Sequence, residues 1–155
     1  MTLQDPQVVD LPEQHVAVVS GVVPMAELGG FFGKAFAAVW AATQKQGVEP
    51  AEAPFARYRG MPADVCDLDV GMAVATPIEV DGDVHPSTLP AGRAVTAIHA
   101  GAYDAVGESW GRLMAWTADQ GLAPAGPFWE VYLNEPVPGM DPADLRTQLV
   151  IPVEG

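Results

Sequence analysis

The chain has 155 residues, enough for one domain with a substantial core but small for two. Its formal net charge of -13 would repel phosphate backbones and anionic lipid surfaces, so we expect no direct nucleic-acid binding and no membrane association. A single cysteine, Cys66, together with the lack of a leader-like start or a long apolar run, predicts a cytoplasmic protein without disulfides.

The first half of the chain reads as a strand, a helix and two more strands. An apolar run that ends at Gly21 predicts the first strand. Apolar residues recur at helical spacing from Leu28 to Thr43, and Gly47 lies just past a basic last turn, where helices commonly end. Two further strands and the turn between them follow at 55–59, Gly60-Met61-Pro62 and 66–74.

The second half repeats this order after a proline-rich connector at 76–90. Its predicted elements are a strand at 92–100, a helix from Tyr103 to Thr117 closed by Gly121, and strands at 128–133 and 145–153 on either side of a loop. Self-similarity in a fixed order indicates a duplicated unit. We place the two repeats at about 7–76 and about 91–154 of a single domain, 1–155.

This duplication predicts an α+β fold. Each repeat is a strand-helix-strand-strand unit, and neither could bury its apolar surface well alone. We therefore expect two units with pseudo-two-fold symmetry, an antiparallel sheet carrying two helices, and a central ligand groove.

Glu130 stands in the middle of an aromatic strand that begins after Gly126-Pro127. Strand alternation places Phe128, Glu130 and Tyr132 on one face. An acid buried among rings is costly unless it is protonated or meets a cation, which makes Glu130 a candidate receptor for a flat, hydrophobic cation. The alternative is a rim glutamate on a half-exposed strand. Arg57 occupies the matching position of the first half, and this loss of symmetry favours a functional role for Glu130.

Other aromatic side chains are candidates for the wall of a pocket around this acid. Tyr103 lies at the start of the second helix, near the end of a strand, where pockets often open. Trp110 falls in the apolar stripe of that helix and is expected in the core, as is Tyr58 on its strand. The candidate ligand-binding residues are Glu130, Tyr132, Tyr103, Phe128, Trp110, Tyr58, Phe55, Trp40 and His99.

Several common kinds of site are not expected. His15, His85 and His99 lack metal-ligand spacing, and we expect neither a metal nor a cofactor. The chain contains no nucleophile-elbow serine and no lysine-bearing phosphate loop. Asp67 and Asp69 are expected to be solvated.

Four segments of the second half form a moderately specific combination. They are His99-Ala100-Gly101-Ala102-Tyr103, Trp110-Gly111-Arg112-Leu113-Met114-Ala115-Trp116, Gly126-Pro127-Phe128-Trp129-Glu130-Val131-Tyr132-Leu133 and Leu145-Arg146-Thr147-Gln148-Leu149-Val150-Ile151-Pro152-Val153. This combination resembles the GyrI-like small-molecule-binding family, the bacterial effector-binding domain that is also found fused to DNA-binding regulators. The resemblance implies a groove for flat, hydrophobic, often cationic molecules, with Glu130 at its floor.

The resemblance leaves three functions open. The preferred one is a stand-alone, multidrug-like binding protein for a hydrophobic aromatic small molecule. A second is a toxin-resistance hydrolase of cyclopropane-bearing DNA-alkylating natural products, in which a desolvated Glu130 acts as the acid and Tyr132, or else Tyr103, assists it. The third is a DNA gyrase inhibitor, for which the sequence offers no specific feature and no identified protein partner.

Overall fold

The computed structural model of the chain describes residues 2–59, 64–134 and 138–154. Within these ranges the backbone forms eight strands and two α-helices, each helix preceded by a short 3-10 turn. In chain order they are β1 (Thr2–Leu11), β2 (Gln14–Pro24), α1 (Leu28–Gln46), β3 (Pro50–Tyr58), β4 (Val65–Val74), β5 (Val84–Leu89), β6 (Gly92–Ala100), α2 (Val106–Asp119), β7 (Phe128–Tyr132) and β8 (Arg146–Pro152). The predicted α+β class and the antiparallel pairing are confirmed. The predicted turn Gly60-Met61-Pro62 lies outside the described residues.

The chain divides into two compact units. Pro12–Ala91 form the first unit, and Met1–Leu11 together with Gly92–Gly155 form the second unit. The first contains β2, α1, β3 and β4 in that order, and the second contains β6, α2, β7 and β8. The predicted strand-helix-strand-strand order is therefore present in both units, and each has one additional strand.

The four strands of the first unit pair antiparallel in the order β3-β4-β2-β5. The helix α1 ends where predicted, because Gly47 adopts a left-handed conformation with φ 67° that glycine reaches at little cost. Strand β5 was not predicted, since Pro86 and the surrounding prolines favour a loop. Proline is tolerated there because β5 lies at the end of this unit's strand order.

Helix α1 covers one face of the first unit's sheet. A Cβ atom on Gly21 would lie 2.8 Å from the ring of Phe31, so this ring sits directly on the β2 backbone. Gly21 pairs with Leu68, and Leu68 pairs with Tyr58, which places all three on the helix-covered face. The opposite face carries Asp69, which is buried and paired with Arg59 at 2.6 Å, so the expectation of a solvated Asp69 is wrong.

The second unit pairs its strands antiparallel in the order β1-β6-β8-β7. Strand β1 was not predicted because its apolar residues do not alternate and Pro6 interrupts it. Its pairing with β6 is irregular between Gln4 and Gln7, beside the positive φ of Asp5. Strand β8 lies between β6 and β7, and this position brings residues from three strands into one row.

Candidate functional site

The candidate site is built on the face of the second unit's sheet that helix α2 covers. Tyr132 of β7 pairs with Thr147 of β8, which in turn pairs with His99 of β6. Directly opposed residues point to the same face, so these three side chains form a row, and Glu130 stands two residues before Tyr132 on that face. This geometry brings one acid, one phenol, one hydroxyl and one imidazole together beneath a helix.

The Glu130 carboxyl group is buried and held by two neutral donors. Its exposed fraction is 6%, which excludes the rim-glutamate alternative. Trp110 Nε1 donates to Oε1 at 2.7 Å, and the Tyr132 hydroxyl donates to Oε2 at 2.9 Å. Burial raises the pKa of Glu130 above its ordinary value, while the bonds from Trp110 and Tyr132 and the charge of His99 oppose that rise. The site therefore holds a carboxyl group that keeps its proton to a higher pH than an exposed glutamate.

His99 is fully buried, and both of its ring nitrogens are used within the second unit. Nε2 lies 2.8 Å from the carbonyl oxygen of Ala102, and Nδ1 lies 2.6 Å from the hydroxyl of Ser109. A carbonyl oxygen only accepts, so Nε2 carries a proton and donates it to Ala102. These bonds fix the imidazole between β6 and the start of α2.

Aromatic contacts connect the protein surface to the buried acid. Tyr103, which is 36% exposed, meets Tyr132 edge-on with ring centroids 5.8 Å apart. Tyr132 in turn bonds Glu130, and on the far side of the acid Trp110 lies against Phe128 with centroids 4.6 Å apart. A flat ligand that replaced the outer tyrosine contact would meet aromatic surface and a carboxyl group together.

The structure gathers six of the nine candidate residues in the second unit. Glu130, Tyr132, Trp110, Phe128, Tyr103 and His99 all belong to the group described above. The other three belong to the first unit, where Phe55 and Tyr58 are buried and Trp40 is 54% exposed. A ligand-binding role for all nine stays a prediction.

The position of the first unit that matches Glu130 is Ala56, not Arg57 as the sequence suggested. Gly21 precedes α1 by the same number of residues as His99 precedes α2, and each lies on its helix-covered face. Matching those faces pairs Tyr58 with Tyr132 and therefore Ala56 with Glu130. Alternation places Arg57 on the opposite face. The acid of the second unit thus stands where the first unit has a small, fully buried apolar residue.

Sequence reasoning missed two residues of the site, Ser109 and Thr147. Both are fully buried and polar, and both are brought to His99 by tertiary structure: Ser109 by helix packing and Thr147 by strand register. For Thr147 the only available signal was strand alternation, which places it on the same face as the apolar residues Leu145 and Leu149. In residues 2–59, 64–134 and 138–154, no three side chains of the usual metal-binding types come together.

The fold and the site define a class of protein: an α+β domain of two strand-helix-strand-strand units with an acid buried among aromatic rings. The GyrI-like small molecule binding domain matches residues 4–154, and the chain belongs to this family. The resemblance seen in the sequence is therefore confirmed. A search of curated proteins gives no match.

Solved structures share this fold. The crystal structure of the EcmrR C-terminal domain superposes with a TM-score of 0.87 at 24% identity, covering 99% of each chain. In the EcmrR–DNA complex the TM-score is 0.84 at 24% identity, with 98% of this chain covered and 57% of the EcmrR chain. The present chain thus spans 57% of the length of that regulator. The described helices include none that is both long and apolar enough to cross a bilayer.

Two structures of lower sequence identity are of proteins with a known ligand or activity. SAV2435 bound to tetraphenylphosphonium matches with a TM-score of 0.65 at 12% identity, covering 98% of this chain and 95% of that one. A hydrolase from Listeria innocua matches with a TM-score of 0.64 at 15% identity, covering 97% and 92%. At these identities the similarity shows a shared fold and leaves the activity of this chain to its own residues.

Proposed function

We propose that the chain binds hydrophobic aromatic cations, flat ones included, and that Glu130 provides the charge they recognise. The observation that carries this proposal is the buried carboxyl group itself. It is 6% exposed and receives hydrogen bonds from Trp110 and Tyr132, which are both neutral donors. Within the described part of the chain, no lysine or arginine forms an ion pair with it.

The cost of burying the Glu130 carboxylate favours a cation as its binding partner. Two neutral hydrogen bonds recover only part of the hydration that a carboxylate loses on burial, which is why the pKa of Glu130 stays raised. An organic cation supplies the opposite charge. Its aromatic body also gains contact with the rings of Phe128, Trp110 and Tyr132.

Two further facts support the proposal. The chain's net charge of -13 draws cations toward the surface during encounter, although this attraction is not specific. SAV2435, which shares the fold, was solved with tetraphenylphosphonium, a bulky aromatic cation. A cytoplasmic location belongs to the same proposal, because a single cysteine suits a reducing compartment.

The decisive experiment compares two probes of the same shape and opposite charge. We expect tetraphenylphosphonium to bind at least about tenfold more tightly than tetraphenylborate, and Glu130→Gln to abolish that preference. Glu108→Gln is the matched control, because it removes the same charge from an exposed position on α2 of the same unit. Equal affinities for the two probes, or equal losses in the two variants, would show that Glu130 does not read ligand charge.

Hydrolysis of cyclopropane-bearing alkylators is the second candidate function, and one specific observation favours it. The Tyr132 hydroxyl lies 2.9 Å from a carboxyl group whose pKa is raised by burial, a pairing suited to general acid catalysis. Glu130 would give its proton to a conjugated carbonyl oxygen while water adds to a ring carbon. The strained carbon–carbon bond then breaks, its electron pair enters the enol, and the proton released by water returns to the carboxylate.

Single-turnover assays test this second function separately from binding. With mass detection of the ring-opened product, Glu130→Gln should slow turnover by at least ~100-fold because an amide cannot transfer a proton, while a neutral substrate still binds. Tyr132→Phe should retain binding and lose part of the rate. A wild-type protein that forms no product would leave binding as the only function.

A further inference from the structure

Thr147 has a buried hydroxyl that the protein does not satisfy. The residue is fully buried in β8, and its Oγ1 lacks a hydrogen-bond partner among the described residues. A buried hydroxyl that has lost water without gaining a partner destabilises the folded state, and most such groups in proteins are paired. Valine has nearly the same shape and avoids this penalty, so the hydroxyl calls for an explanation outside the unliganded fold.

The two residues that flank Thr147 on neighbouring strands, His99 and Tyr132, make their side-chain hydrogen bonds to other groups. On one side, His99 uses Nε2 for the Ala102 carbonyl and Nδ1 for Ser109. On the other side, the Tyr132 hydroxyl donates to Glu130. The Thr147 side chain therefore lies between two polar rings whose hydrogen bonds point away from it.

The position of Thr147 connects it to the proposed binding site. It pairs directly with Tyr132, so their Cβ atoms are about 4.5–5.5 Å apart on the same face of the sheet. Glu130 lies on the same face, two residues before Tyr132 in β7. A molecule that reaches the carboxyl group past Tyr132 would come within reach of the Thr147 hydroxyl.

We propose that Thr147 is a specificity determinant of this site and donates a hydrogen bond to an acceptor oxygen on the bound molecule. The donors of Trp110 and Tyr132 are engaged by Glu130, so Thr147 supplies the donor that a carbonyl or ether oxygen needs. The site then selects hydrophobic cations that carry such an oxygen over cations that carry none. This inference rests on the proposed function and names its ligand class more closely.

Two cations and two threonine variants test the inference. Rhodamine 6G is a flat cation with an ester carbonyl, whereas tetraphenylphosphonium has no hydrogen-bonding group. Thr147→Val should weaken rhodamine 6G binding about tenfold, as expected for one lost hydrogen bond, and leave the tetraphenylphosphonium affinity within about twofold. Thr147→Ser keeps the hydroxyl and should keep the wild-type ratio of the two affinities.

Thermal unfolding without ligand supplies an independent readout. Thr147→Val should melt at the wild-type temperature or above it, because it removes an unpaired hydroxyl and keeps the shape. Thr117→Val is the matched control in α2: its hydroxyl donates to the Leu113 carbonyl at 2.7 Å, so this variant should melt lower and bind both cations normally.

Two results would overturn the inference on its own. One is an unchanged affinity of Thr147→Val for rhodamine 6G, and the other is a melting temperature below wild type, which would show that the hydroxyl has a partner inside the protein. If instead neither cation depends on Glu130, the proposed function itself is wrong, and the two failures are distinguishable.

Discussion

The indole nitrogen of Trp110 lies 2.7 Å from Oε1 of Glu130, so a tryptophan expected in the core is also a donor to the buried acid. Both descriptions hold, because Trp110 is 7% exposed and its ring packs on Phe128. A single side chain thus covers the carboxyl group and stabilises its charged form.

Replacing Trp110 by phenylalanine separates these two contributions. Trp110→Phe keeps a ring beside Phe128 but removes the donor to Oε1, so we expect a loss of about 1–3 kcal/mol in unfolding free energy and weaker cation binding. Urea denaturation and ligand titration measure the two effects. Trp116→Phe is the control in the same helix, because Trp116 is only partly buried and is not one of the candidate ligand-binding residues, so the variant should leave ligand affinity unchanged. A normal affinity in Trp110→Phe would remove the indole from the site's electrostatics.

Cation affinity should depend on pH in a direction set by Glu130. Since burial raises the pKa of this carboxyl group, its protonated form persists above the ordinary range of glutamate, and a cation must displace that proton. Affinity for tetraphenylphosphonium should therefore rise with pH and level off above the pKa of Glu130. Calorimetry in buffers of different ionisation enthalpy should detect proton release, and Glu130→Gln should show neither the rise nor the release.

Folding stability should show the opposite dependence on pH. A raised carboxyl pKa means that the native state binds more protons than the unfolded state above the ordinary value of 4.5. Stability contributed by this group is therefore greatest at low pH and falls as pH rises toward and through the raised pKa. Urea titrations across this range should show a smaller decline in Glu130→Gln than in wild type. Identical pH profiles would mean that Glu130 titrates normally.

Two glycines offer a matched test of the packing. An added Cβ at Gly71 of β4 would overlap the carbonyl oxygen of Ala17 on the paired strand β2, so Gly71→Ala should be strongly destabilising. Gly111 on α2 has nothing within 4 Å of that position, and Gly111→Ala should stabilise by up to about 1 kcal/mol through helix propensity. Denaturant midpoints of the two variants measure both effects. A Gly71→Ala variant as stable as wild type would contradict the close approach of Gly71 to the Ala17 carbonyl oxygen.

Local chemical signals predicted much of the fold. The basic last turn and Gly47 located the end of α1, and apolar runs located β2, β4 and β6 within a few residues. Strands β1 and β5 were not predicted, because their polar residues do not alternate regularly and both contain proline. They form strands because β1 pairs with β6 and β5 pairs with β2. The periodicity of a sequence shows whether a strand alternates apolar and polar residues. It does not show which other strand it pairs with.

The sequence drew attention to Glu130 because an acid is unusual in an aromatic strand, and it left burial and a rim position open. The structure buries this residue, and its role in ligand binding stays a prediction. Ala56 was not matched to it, because the face that a helix covers is settled by tertiary packing rather than by local sequence. Thr147 was missed for a related reason, since its significance comes from the register that sets it opposite Tyr132.

The order in which strands leave the ribosome differs from the order in which they pair in the second unit. Every strand of the first unit is contained in Pro12–Ala91, so the pairings among β2, β3, β4 and β5 can form as soon as that segment has been synthesised. In the second unit β1 must wait for β6, and both β6 and β7 must wait for β8, which lies between them. Glu130 is therefore translated before the strand that pairs with its own, and its carboxyl group stays hydrated until β8 has been made. The unit that contains Glu130 therefore matures last, after the first unit can already have folded.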